Sequence, residues 1–271
     1  MVHPLRKTLW GTLALCGFAA LLLPQTAGAT TSSCSDYAKI GASPYYVYNN
    51  TWNLGNAGSG YWECVYSNGL SGGSVSWGTS YYFPDVNPYD VKSYPSIVLG
   101  WQYGYTYSNT GLPVKISAGD NIESSLQWSE NGSNTGNVDV SYDNWIISST
   151  NASSPTAEMM IWCYNDIGGQ YGEQEGSVTI DGISWTFVYR PVNYNGTGNG
   201  WPVFSFVSNS NKSSNQTINL KDFLNYITYT KGLLNSGLYL GGVEFGTEVF
   251  YNTNSKDSGA LNVQKFNAVV N

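Results

Sequence analysis

The sequence predicts an all-β protein: two antiparallel sheets packed as a jelly-roll sandwich, with one helix on the convex side. Three observations predict it. Apolar residues recur mainly with period two, Gly, Asn and Ser clusters interrupt the runs, and helical spacing appears in one segment only. Many strands and a single helix bury their apolar faces best by packing sheet on sheet.

The first 29 residues read as an export leader. Arg6 and Lys7 form a positive n-region, the stretch 9–23 is mostly apolar, and Ala27-Gly28-Ala29 is a small-x-small cleavage signal. Leu15 stands where lipid attachment at Cys16 would need a small residue. No later stretch is apolar for the roughly 18 residues that a membrane span requires. Removing 29 of the 271 residues leaves 242, read as one secreted domain over 30–271.

Strands are expected over 74–83, 123–129, 137–147, 157–164, 177–180, 184–190, 203–207, 239–250 and 260–270. Turns are expected over 68–73, 131–136, 195–200 and 208–215, and Asp181-Gly182 signals a tight hairpin. Leu220, Phe223, Leu224 and Ile227 carry the helical spacing. Asn219 suits the N-cap, Asp222 the first turn, and Gly232 follows the end.

Composition excludes several chemistries. The net charge is −7 with Lys and Arg scarce, and loss of Arg6 and Lys7 takes it to −9. Such a chain is a poor partner for nucleic acid or an anionic membrane. The only histidine is His3, inside the leader. A mature chain without histidine excludes Ser-His-Asp and Cys-His catalysis and the common zinc sites. Carboxylates, Tyr, Lys and Cys remain for proton transfer. Cys34 and Cys64 are the natural disulfide pair in an exported protein, and Cys163 reads as a buried thiol.

Paired carboxylates become the leading chemistry. Asp143 precedes Asn144 and Trp145, Glu158 opens Met159-Met160-Ile161-Trp162, and Glu244 and Glu248 flank Phe245-Gly246-Thr247. Period two puts Glu158, Met160 and Trp162 on one face, and Glu244, Gly246, Glu248 and Phe250 on one face. The opposite faces are nearly pure core, so the acids are expected to look into a cleft. Acids in strands are usually just solvent-facing, but solvent faces mix Lys, Thr and Ser rather than Met and Trp. Retaining glycoside hydrolysis needs two carboxyls about 5–5.5 Å apart. Neighbouring strands about 4.8 Å apart can hold such a pair.

At these residues the sequence resembles glycoside hydrolase family 12, over nearly the whole mature chain. The matching runs are Glu158-Met159-Met160-Ile161-Trp162, Gly246-Thr247-Glu248-Val249-Phe250, Tyr142-Asp143 and Asn50-Thr51-Trp52. Val249 stands where the family often has proline, Glu244 where it often has Gln, and the loop after Gly168 lacks a proline that some members carry. The resemblance implies a retaining endo-acting β-1,4-glucanase or xyloglucanase. It implies Glu158 as nucleophile, Glu248 as acid/base and Asp143 as the assisting acid. Asn50, Trp52, Met160, Trp162, Glu244 and Phe250 would contact substrate. It also implies the Cys34–Cys64 bridge, and a mechanism with no metal or cofactor. The expected partner is a β-glucan polysaccharide bound by a monomer. Two rivals share the fold: a non-catalytic β-glucan-binding lectin-like module, and a retaining jelly-roll glycanase for mixed-linkage glucan or xylan.

Overall fold

The structure is a computed structural model that describes residues 29–57, 59–84, 91–131, 138–167, 172–194, 200–209, 215–250 and 256–271. The leader before Ala29, the loop 168–171 and most of the turns expected at 131–136, 195–200 and 208–215 lie outside the described residues.

The strands in chain order are β1 (Thr31–Ser33), β2 (Lys39–Ala42), β3 (Tyr45–Tyr48), β4 (Trp62–Ser71), β5 (Ser74–Pro84), β6 (Ser96–Gly100), β7 (Val114–Lys115) and β8 (Ile122–Glu130). They continue as β9 (Asp139–Ile147), β10 (Ala157–Asn165), β11 (Glu173–Ile180), β12 (Ile183–Arg190), β13 (Val203–Ser208), β14 (Asn215–Asn219), β15 (Tyr239–Leu240), β16 (Gly242–Gly246) and β17 (Lys256–Val270). A six-stranded sheet runs β1-β4-β5-β17-β8-β14. An eleven-stranded sheet runs β11-β12-β13-β10-β9-β16-β6-β3-β2, with β15 on β9 and β7 on β15. The pairing is antiparallel except between β10 and β13, which run parallel.

The core lies between the sheets. Met159, Ile161 and Cys163 of β10, Tyr142 and Ile146 of β9 and Val243 and Phe245 of β16 face it from the larger sheet. Trp77, Leu126, Val263 and Phe266 face it from the smaller one. The helix α1 (Leu220–Asn225) continues into a π-helical turn, Tyr226–Thr230. Asn219 caps it, its side chain accepting from Lys221 N, and Gly232 after the end has φ +66°. Phe223 meets Trp185 and Phe206 edge on, and these rings belong to the core face of the larger sheet. The helix therefore packs on the face opposite the acids, as expected.

Two expectations change. The strand predicted over 239–250 divides into β15 and β16, followed by isolated bridges from Val249 to Ser93 and Val138. Gly241 breaks it, donating to Trp145 O while accepting from Trp101 N. A side chain on Gly242 would collide with the Trp101 carbonyl, so the close approach requires glycine. Second, β1 to β4, β6, β7 and β14 were not expected. Of these, β3 and β6 are buried along their whole length, so no alternation marks them. Cys34 and Cys64 form the disulfide, and Cys163 is a buried thiol that accepts from Gln216 Nε2 at 2.7 Å.

Candidate active site

The adjacent strands β10, β9 and β16 carry the acids on their non-core face. Glu158, Met160 and Trp162 share that face of β10 with period two, as Asp139, Ser141, Asp143 and Trp145 do on β9. Register then sets the neighbours. Asp143 lies opposite Met160 on one side and Glu244 on the other, while Glu158 lies opposite Trp145. The ladder of β16 stops at Gly246, but the Val249–Val138 bridge carries its register onward. Glu248 thereby comes opposite Asp139. Asp139 N donates to Glu248 O at 3.3 Å, and Glu248 N donates to Asp139 Oδ1 at 3.4 Å. Any side chain on Gly246 would collide with the Pro95 carbonyl, so glycine lets this segment seat against its neighbour.

The face is less wet than the sequence suggests. Asp143 and Glu158 are each 8% exposed and Glu244 1%, while Glu248 is half-buried. Aromatic rings enclose it. Trp201 Nε1 donates to Glu158 Oε2 at 2.8 Å, and Trp145 Nε1 donates to Glu244 Oε1 at 2.8 Å. These two indoles meet edge on at 5.7 Å, and Tyr103 abuts Trp145 at 5.3 Å. Ser96 Oγ donates to Glu244 Oε2 at 3.2 Å.

This enclosure perturbs every acid. Dehydration raises Glu158 to about 7; the Trp201 hydrogen bond and Arg190 pull it down, while Glu248's charge adds to the rise. Glu244 rises to about 8 through burial, against the hydrogen bonds from Trp145 and Ser96. Glu248 goes well above the carboxylate range through loss of hydration and the charge and hydrogen bond of Asp139, with Arg190 opposing. Asp143 also goes well above its usual value, through burial and then the charges of Glu158 and Glu244. Interacting acids of this kind titrate as a set. Clusters of strongly perturbed acids mark catalytic sites.

The structure brings Glu158, Asp143, Glu244, Glu248, Met160 and Trp162 to one face. Trp162 Nε1 points to Met160 Sδ at 3.5 Å, and both pack with Val203 and Trp201. Asn50 is tied to β9 through Tyr94, whose N donates to Asn50 O and whose hydroxyl donates to Ser141 O. Trp52 is 53% exposed, and Phe250 is half-buried beside Val249. Trp201 supplies Glu158's donor, and Asp143 Oδ1 has no partner among the described residues. Among those residues no group of three or more His, Cys, Asp or Glu is placed to hold a metal ion.

Sequence reasoning missed Trp201, Asp139, Arg190 and the role of Trp145. Trp201 sits in a Gly/Asn-rich segment with no periodicity. It reaches Glu158 because β13 pairs with β10 from 45 residues away, a pairing that no local pattern announces. Asp139 had a signal, since it shares the phase of Asp143 on one strand.

The fold and the acid face together define a jelly-roll glycoside hydrolase. The structure superposes on the native family 12 xyloglucanase from Bacillus licheniformis with a TM-score of 0.77 and 32% identity, covering 89% of this chain and 100% of that one. It matches endoglucanase 3 from Trichoderma harzianum, of family GH12, with a TM-score of 0.74 and 32% identity, covering 91% and 100%. In sequence it is 34% identical over 240 residues to endoglucanase S of Pectobacterium parmentieri, covering 86% of this chain and 87% of that one. It is likewise 34% identical over 240 residues to xyloglucan-specific endo-beta-1,4-glucanase 1 of Phytophthora sojae, covering 87% and 89%. The model of glycosyl hydrolase family 12 matches residues 43–271, and the chain belongs to that family. It is an enzyme of the endoglucanase and xyloglucanase kind.

Proposed function

We propose that this protein is a secreted, retaining endo-β-1,4-glucanase acting on cellulose-type glucan or xyloglucan, with Glu158 as nucleophile, Glu248 as acid/base and Asp143 assisting. The observation that carries the reading is the pairing of unlike carboxyls in one enclosed face. Glu158 receives an indole N–H at 2.8 Å that favours its charged form, while Glu248 faces a second acid that favours its protonated form. The names of the relatives support the glucan and the internal cleavage.

In the first step Glu158 attacks the anomeric carbon and Glu248 gives its proton to the departing oxygen. In the second, Glu248 takes a proton from water, whose oxygen displaces Glu158. Two inversions return the original anomer. Asp143 holds a proton beside Glu158 and limits the charge there. Trp52, Asn50, Met160, Trp162, Glu244 and Phe250 contact the glucan chain, with the exposed Trp52 ring stacking on a sugar face.

Glu248→Ala should cleave an aryl cello-oligosaccharide with an acidic phenol far better, relative to the parent enzyme, than it cleaves polymer. Added azide should then give the β-glycosyl azide. Glu158→Ala should lose both activities and yield only the α-azide. The opposite anomers would reverse the two roles. If neither variant lost activity, other acids would carry the reaction, with Asp143 and Glu244 the next pair to test; a parent protein that releases no reducing sugar from polymer would favour the non-catalytic binding module.

A further inference from the structure

We propose that Asp139 is a positioning residue for Glu248, and that the two carboxyls hold one proton between them until it passes to the leaving oxygen. The inference rests on the assignment of Glu248 as acid/base and adds the group that readies it.

The geometry comes first. Asp139 and Glu248 are direct cross-strand neighbours, joined by two hydrogen bonds: Asp139 N donates to the Glu248 carbonyl, and Glu248 N donates to Asp139 Oδ1. Such neighbours have Cβ atoms about 4.5–5.5 Å apart, and like charges there repel. Asp139 cannot swing away. Ser141 Oγ donates to its Oδ1 at 2.7 Å, and Thr247 Oγ1 holds its carbonyl at 2.6 Å. It is 0% exposed, so water cannot hydrate it. Its other oxygen, Oδ2, has no donor among the described residues. Two carboxylates cannot bond each other, but a carboxyl and a carboxylate can. The carboxyl that faces Asp139 from across the ladder is that of Glu248.

The other charged groups around Glu248 leave this arrangement standing. Asp143 on β9 and Glu158 on β10 feel the charge of Glu248, Arg190 on β12 opposes its rise, and the Tyr94 hydroxyl also feels Glu248. Among the described residues, Asp139 accepts from Glu248 N and donates to Glu248 O. Its own pKa is raised to about 6 by burial, with the bonds from Glu248 and Ser141 pulling back. In the first catalytic step the Glu248 O–H bond breaks and the proton leaves on the glycosidic oxygen. Glu248 is then a carboxylate facing a carboxylate. That repulsion makes it a stronger base for the water that follows.

The test is Asp139→Asn, which keeps the shape and removes the charge. With glutamate labelled at the side-chain carboxyl carbon, NMR follows the Glu248 titration, assigned by the signal missing in Glu248→Gln. We expect Glu248 to titrate well above the ordinary range in the parent and to drop by at least about one unit in the Asn variant. On an aryl cellobioside with a poor leaving group, kcat should fall at least about tenfold with KM nearly unchanged, while an acidic phenol is barely affected. A folded Asn variant with an unshifted Glu248 titration overturns the proposal. Should that variant not fold, Ser141→Ala keeps both carboxyls, and the aspartate-labelled titration of Asp139 should move up; no movement overturns the proposal equally. The titration is read without turnover, so it stands apart from the azide test of Glu248's role.

Discussion

Asp143 and Glu244 stand directly opposite each other on β9 and β16. Two ionised carboxyls in that relation repel, and each is enclosed, at 8% and 1% exposure. The arrangement persists because one or both carry a proton. The Trp145 indole and the Ser96 hydroxyl satisfy Glu244, whereas Asp143 Oδ1 has no partner among the described residues. Glu244 thus acts on Asp143, its neighbour across the ladder, and itself feels the charge of Glu158. Glu248, two same-face steps away along its own chain segment, is governed by Asp139 instead.

Glu244→Gln should therefore be mild at acid pH. With its pKa raised to about 8, Glu244 is protonated below about pH 7, and Gln mimics that neutral form. Activity at pH 5–6 should stay within about threefold of the parent, and the two pH–rate profiles should diverge only near pH 8 and above. A tenfold loss at pH 5 would show that Gln does not replace the neutral carboxyl there.

Trp201→Phe removes the donor to Glu158 Oε2. That hydrogen bond lowers the pKa of Glu158, so its loss must raise it. The acid limb of kcat/KM should move to higher pH, with about a ten- to hundredfold loss below the limb, the scale of a hydrogen bond to a charged group. An acid limb that stays in place would remove Trp201 from the charge-setting role.

Stability should fall as pH rises. Glu63, Glu158 and Glu244 have folded values near 8, 7 and 8, above an unfolded value near 4.5. The folded chain binds more protons, so this stability is full below about pH 4.5 and is lost as pH rises through 7 to 8. Tm by calorimetry should be higher at pH 5 than at pH 8.5. Glu63 lies outside the catalytic face, takes a hydrogen bond from Ser93 Oγ at 2.5 Å, and leaves Oε1 unpartnered among the described residues. Glu63→Gln should flatten the slope without changing kcat. A Tm that climbs toward pH 8.5 would contradict the raised values.

Reducing the Cys34–Cys64 bridge should destabilise the fold by about 3–4 kcal/mol, because it closes 30 residues of chain. A domain of this size should then lose about 10 °C in Tm. Cys163, buried and pushed up to about 12, should resist alkylation until unfolding. Rapid labelling of Cys163 in the folded protein would place it at the surface.

What the sequence determined by itself is local. Period two disclosed the long half-buried strands, the 3.6 spacing disclosed the helix with its Asn219 cap, and the absence of histidine after residue 3 narrowed the chemistry to acids. Phase along a strand was enough to group Glu158 with Met160 and Trp162, and Glu244 with Glu248. The tertiary structure decided which strands meet. Register put Asp139 against Glu248 and Asp143 against Glu244, and the parallel pairing of β13 with β10 delivered Trp201 to Glu158. A side chain's phase is set by its own backbone. Its cross-strand neighbour depends on long-range pairing, and so does the loss of water that raises the pKa values of these carboxyls.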